Sequence, residues 1–369
     1  MKITKIEAYQ TTIKLERPFV IAVGAINAIE SVIVKVIDDQ GNFGLGEAAP
    51  HNLILGETSA TILAALDVMA PHLISMDPRG LSQISYIMDH LLLHHTAAKS
   101  AIDMALHDLI AKAWSEPLWR ILGGAERKIE TDLTIGLQPL DETLNYIENN
   151  LGKGFKVIKL KVGQDPEEDI ERIKVVRELV GERVRLRIDV NQGWTRPQAL
   201  KMLNELTRYN LELVEQPLPA FDIDGLAWLR GAVSTPVMAD ESVHGPEEAL
   251  RVVQEGAADY INIKIMKSGG LWKARKIAMI AEAAGVGCMV GSMVETDLAI
   301  TAAVHFAAAI RNVKFADLDL GFSLRPRAKL IENGGARFES GYVIPPNAPG
   351  LGVFELNEEL IRGPVRIYK

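Results

Sequence analysis

The stretch from Phe155 to Val190, FKVIKLKVGQDPEEDIERIKVVRELVGERVRLRIDV, decides the fold. Its two ends, VIKLKV (157–162) and VRLRIDV (184–190), read as apolar strands. Between them PEEDIERIKVVRELVG (166–181) is amphipathic and begins with Pro166 and two acids, a helix-start signal. Strand, helix and strand in so few residues make a βα unit, whose crossover is right-handed. Moving outward, the same rhythm recurs at TDLTIG (131–136), LELVEQ (211–216), PVMADE (236–241), YINIKI (260–265), GCMVGS (287–292) and KFADLDL (314–320). Eight such strands predict an α/β chain built on a (β/α)8 barrel of modified TIM type.

The flanks read differently. Residues 1–125 form an α+β capping domain, with strands at ITKIEAYQTTIKL and ESVIVKVIDDQGNFGLGEA and helical text at AAKSAIDMALHDLIAKAW. The barrel is expected over 126–320. The tail, 321–369, contains strand-like text (ARFESGYVIPP) and is expected to return to the capping domain. The 369 residues are 48% hydrophobic and 24% charged, well away from a disordered composition. A net charge of −8, with no basic stripe, argues against a nucleic-acid partner. Cys288 is the only cysteine, which excludes an internal disulfide and fits a reducing compartment. No signal-like or membrane-spanning run is present, so a cytoplasmic chain is expected, with a small-molecule partner and assembly as a homo-oligomer.

The polar residues that end the strands carry the chemistry. Lys159 and Lys161 alternate in one strand and therefore share a face. Lys161, Asp189, Glu215, Asp240 and Lys264 close successive strands at intervals of one βα unit, so a barrel gathers them on its C-terminal rim. Any one of them alone is better read as a helix cap or a solvated loop residue. Five in register favour a site. Three acids on adjacent strand ends repel unless a cation lies between them, and Mg²⁺ suits carboxylate oxygens while leaving positions for substrate. A carboxylate substrate chelating such a metal has its enediolate stabilised when the α-proton leaves. Lysine removes that proton only if burial and nearby positive charge lower its pKa, and Lys159 is expected to supply part of that charge.

KLK (159–161), DVNQGW (189–194), VEQP (214–217), ADES (239–242) and NIKIMKSGG (262–270) resemble the enolase superfamily, in its muconate-lactonizing subgroup. The resemblance extends over nearly the whole chain, GLGEAAP (44–50) being similar to the family's capping domain. It implies Mg²⁺ held by Asp189, Glu215 and Asp240. Lys161 and Lys264 become acid/base residues on opposite faces of the substrate, with Lys159 as the auxiliary amine. The subgroup includes epimerases, cycloisomerases and o-succinylbenzoate synthases, and these residues do not choose among them.

ADLDL puts Asp317 and Asp319 on one face of the eighth strand. An Asp-x-Asp here resembles the dipeptide epimerases, in which both acids bind the α-ammonium, and paired carboxylates complement a cation. We therefore expect a two-base epimerase acting on the C-terminal residue of a dipeptide. A cycloisomerase or synthase is the alternative, with a Schiff-base barrel enzyme and a non-catalytic binding module further off. Epimerases of Ala-Glu place an arginine in the first capping loop, RPFVIAVGAINAI (17–29); Gly24 stands there in this chain, so an acidic side chain is not expected. Phe19, Ile54 and Val294 suggest an apolar wall, Asp297 offers either a cation partner or a helix cap, and Thr134, Ser292, Met293 and Glu295 fall near the rim.

Overall fold

The computed structural model describes residues 1–319 and 321–369. The capping domain begins with an antiparallel meander, β1 (Ile3–Ile21), β2 (Gly24–Asp38) and β3 (Phe43–Ala48), followed by helices α1 (Ser59–Met69), α2 (Leu81–Leu91) and α3 (Thr96–Ala113). The expected first loop is not a loop. Residues 17–29 continue β1 and β2 into a hairpin that turns at Ala22–Val23, with a register shift between Lys14 and Phe19 where Pro18 interrupts the ladder.

β3 lies directly on α3. A Cβ on Gly44 or Gly46 would sit 2.0 Å from the carbonyl oxygen of Ala105 or Ala101, so GLGEA needs glycine for the strand to touch the helix backbone. Alanines fill the facing helix, whose residues from Ala97 to Ala111 are all buried.

All eight expected barrel strands form: β4 (Leu133–Ile135), β5 (Val157–Lys161), β6 (Arg185–Asp189), β7 (Leu211–Glu215), β8 (Val237–Ala239), β9 (Tyr260–Lys264), β10 (Gly287–Gly291) and β11 (Val313–Asp317). They pair in parallel and in chain order, and a bridge from Thr131 to Ala316 joins the last to the first. Seven long helices separate them: α4 (Leu140–Leu151), α5 (Pro166–Val180), α6 (Arg196–Leu206), α7 (Ile223–Ala232), α8 (Pro246–Gln254), α9 (Leu271–Ala283) and α10 (Asp297–Ala309). α5 starts as its sequence says, with Asp165 accepting from the amides of Glu167 and Glu168 ahead of Pro166. Among the described residues no helix follows β11, so the eighth unit is a strand alone.

Side chains alternate into the barrel in layers. The lower layer holds Leu213, Met238 and Met289 with Tyr260 and Phe315, and includes Arg187, whose guanidinium bonds Asp132 and Glu212. The next layer up is the ring of charged strand ends. The tail splits between the two domains. β12 (Ile331–Gly334) pairs with β14 (Val353–Leu356), and β13 (Tyr342–Ile344) pairs with Ile129–Glu130 at the foot of the barrel. β15 (Arg366–Tyr368) joins the capping sheet beside β1, and an antiparallel bridge ties Pro326 to Leu15 of the same strand.

Candidate active site

Lys161, Asp189 and Glu215 stand side by side in the ladder of β5, β6 and β7. Lys264, Gly291 and Asp317 form a matching row across β9, β10 and β11. Asp240 follows β8 and closes the gap between the rows. All are buried. A Cβ at Gly291 would meet Asn262 Oδ1 at 2.7 Å, so glycine there gives Asn262 the space to donate to Glu215 Oε1 at 2.6 Å.

Lys159 is fully buried, with Nζ at 3.0 Å from Asp189, 2.7 Å from Glu215 and 2.8 Å from Asp317. The positive charge expected of Lys159 toward Lys161 is therefore shielded. Asp189 Oδ2 lies between them, 2.6 Å from Lys161 Nζ. Burial by itself would lower the Lys159 pKa, but Asp189, Asp317 and Glu215 outweigh it and hold the amine charged. Lys264 Nζ is 2.7 Å from Asp240, and its pKa is likewise held up against burial by Asp240 and Glu215.

The three acids offer oxygens that all lie within 4.8 Å of one another. Glu215 Oε2 and Asp240 Oδ1 are buried without a hydrogen-bond donor; each lies near a lysine (2.7 Å from Lys159, 2.6 Å from Lys267) but off hydrogen-bonding geometry. Glu215 is pushed up to about 7, chiefly by burial and then by Asp189. An oxygen-only donor set, crowded, negative and under-bonded, fits a hard divalent cation.

A pocket opens above this ring. Lys161 and Lys264 line it with Asp317, Asp319, Thr134, Ser292, Met293 and Glu295, and Phe19, Ile54 and Val294 cover it. Thr134 Oγ1 donates to Asp317 at 2.8 Å and its amide reaches Asp319 at 3.3 Å. Lys159 keeps Asp317 well below the usual carboxylate range, although burial opposes this; burial and Asp317 together push Asp319 up to about 7. Glu295 is also raised, to about 8, by burial and Glu47.

Gly24 lies outside this pocket, in a vestibule between the hairpin tip and residues 50–58, where it faces Ile21 in register. Asp297 does not reach the pocket. It is the first residue of α10, whose cap is Thr296, and its carboxylate accepts from the amides of Leu330 and Ile331, tying down the tail. The apolar residues after Asp297 drive the helix, which turns its carboxylate away from the rim.

Four polar residues went unassigned in the sequence. Asn191 and Glu241 follow metal-type acids in DVN and ADE, Lys267 lies one turn past Lys264, and His51 is in the capping segment 50–58. Lys267 Nζ is buried against Asp240 and the carbonyls of Val243 and Asn262. His51 lines both cavities, and burial with Lys264 and Lys161 holds it neutral, near 4. Only their proximity to the motif residues could have signalled the first three.

Residues 144–360 match the enolase C-terminal domain-like family, and residues 4–123 match the mandelate racemase/muconate lactonizing enzyme N-terminal domain. The chain belongs to the enolase superfamily. Within it, this member is 40% identical over 349 residues to the L-Ala-D/L-Glu epimerase of Clostridium acetobutylicum, covering 94% of this chain and 97% of the relative. It is 39% identical over 355 residues to the hydrophobic dipeptide epimerase of Enterococcus faecalis, covering 96% and 99%. The structure of the dipeptide epimerase from Enterococcus faecalis V583 complexed with Mg and dipeptide L-Leu-L-Tyr superposes with a TM-score of 0.93 at 38% identity, over 96% of this chain and all of that one.

Proposed function

We propose that this isomerase inverts the α-carbon of the C-terminal residue of a dipeptide by two-base proton transfer. One observation carries the reading. β5 and β9 stand half a turn apart in the barrel ring, so Lys161 and Lys264 approach a single pocket from opposite sides. Inversion needs that arrangement, because one base takes a proton from one face and the other returns it to the opposite face.

Asp189, Glu215 and Asp240 would hold Mg²⁺, which when bound neutralises charge building on the substrate carboxylate. The remaining work belongs to the chain. Asp317 and Asp319 bind the α-ammonium and fix which end of the dipeptide lies between the lysines. Thr134 holds both carboxylates in place. Phe19, Ile21, Ile26 and Ile54 exclude water on the capping side, and with no lysine or arginine among the described residues of the vestibule an acidic side chain finds no partner there. An apolar side chain at the epimerised position suits this wall.

The test is α-hydrogen exchange. A library of L-L dipeptides in D₂O with Mg²⁺ should gain one deuterium at the α-carbon of the C-terminal residue, fastest for apolar residues, and EDTA should stop it. A library without exchange would remove the assignment. A cycloisomerase, whose substrate carries no ammonium, would be indifferent to Asp319→Asn.

A further inference from the structure

Lys161 and Lys264 are not held alike. Lys264 Nζ donates to one carboxylate, that of Asp240, at 2.7 Å. Lys161 Nζ donates to Asp189 at 2.6 Å and, in addition, to the neutral amide oxygen of Asn191 at 3.1 Å. That amide is itself oriented. Asn191 Nδ2 donates to Glu241 Oε1 at 3.0 Å, which leaves Oδ1 facing the lysine. Asn191 sits at a φ of +42°, in the left-handed region that asparagine tolerates better than most residues, and its own amide donates to Asp189 Oδ1 at 3.0 Å. Asn191 and Glu241 are both buried, so neither hydrogen bond competes with bulk water.

We infer that Asn191, with its side-chain amide fixed by Glu241, is a positioning residue for Lys161 alone. An amide turned end over end would present an NH₂ to an ammonium. Glu241 prevents this, since only Nδ2 can donate to it. The oxygen so aimed gives the lysine a neutral partner that keeps the amine in place whether it carries the proton or has delivered it. Among the described residues Lys264 has no such partner, so the two faces of the substrate meet bases of unequal definition. The inference rests on the epimerase reading.

Its test separates the two faces. Overall inversion cannot do so, because the equilibrium constant ties the forward and reverse specificity constants together. The initial rate of α-hydrogen loss into D₂O, measured separately on each isomer with Mg²⁺ present, reports each base alone, and Lys161→Ala identifies the isomer that Lys161 serves. Asn191→Gly, which relieves the backbone constraint, should slow exchange of that isomer about ten- to a hundred-fold and leave the other within about threefold. Mg²⁺ affinity by calorimetry should change by less than about threefold. Glu241→Gln keeps an oxygen acceptor toward Asn191 and should retain the wild-type ratio of the two rates.

Equal slowing of both isomers, or a lost Mg²⁺ affinity that accounts for the slowing, overturns the inference. So does Glu241→Gln behaving as Asn191→Gly does, because charge rather than acceptor geometry would then be at work. If the wild-type protein exchanges neither isomer of any dipeptide, the epimerase reading itself has failed, a result distinct from each of the variant outcomes above.

Discussion

Asp319, proposed above to bind the α-ammonium, carries its own cost in stability. Burial and Asp317 hold its pKa at about 7, against an ordinary value of 3.8, so the folded protein binds a proton that the unfolded chain gives up. Stability therefore falls as pH rises from about 4 to 7 and stays reduced above that window. Removing the charge with Asp319→Asn should stabilise the protein at pH 8 by on the order of 1–3 kcal/mol, seen as a higher urea midpoint. The same change should raise KM for a dipeptide by about a hundredfold, since a charge-assisted contact to the ammonium is lost. In the wild type, KM should rise as pH drops below about 7 and the carboxyl takes up its proton. A KM independent of pH from 6 to 8 would contradict the role given to Asp319.

Between elements, Glu47 is a joint of the two domains. It lies in β3 of the capping domain and accepts from Ser31 Oγ at 2.6 Å, from the amide and hydroxyl of Thr296 at 2.8 and 2.6 Å, and from the amide of Ala299 at 3.0 Å. A strand of one domain thus supplies the anion at the N-terminus of α10 in the other. Glu47→Ala should cost about 2–4 kcal/mol by leaving these buried donors unpaired, measurable by chemical denaturation. An unchanged midpoint would mean that water replaces the carboxylate. Glu47 was hidden in the sequence because a lone acid in a strand carries no sign of a partner some 250 residues away. The barrel strands were legible for the opposite reason: each is a local apolar run ended by a charge, and the spacing repeats. Residues 17–29 lack strict alternation because Phe19, Ile21 and Ile26 line the pocket while Gly24, Ala25 and Asn27 at the hairpin tip are exposed, and so they resembled a loop. Asp297 was open to two readings because a helix cap and a ligand look alike until the tail arrives to bind it. Asn191 and Glu241 lay inside recognised motifs, but only the fold showed that they touch.

For the whole molecule, the ring of acids should couple metal to stability. Three buried carboxylates share a small space, each beside a lysine. A divalent cation that binds only the folded chain adds about 2.7 kcal/mol at a hundred times its Kd. Mg²⁺ should therefore raise Tm in a concentration-dependent way, EDTA should reverse it, and Asp240→Asn should blunt it. Equal melting curves with and without Mg²⁺ would contradict the assignment of the three acids. The thiol of Cys288, pushed up to about 12 chiefly by burial, should stay unreactive to alkylating reagents until the barrel opens.

β15 pairs Tyr368, Ile367 and Arg366 with Ile6, Glu7 and Ala8. β1 is thus made before the barrel, but its edge is completed only once β15, which follows the barrel in the chain, has been made. Until then β1 presents an open edge, the kind of surface on which nascent chains stick to one another. Deleting residues 364–369 should make that interval permanent, and the shortened protein should form more aggregate during expression than the full chain, even though the catalytic rim is untouched.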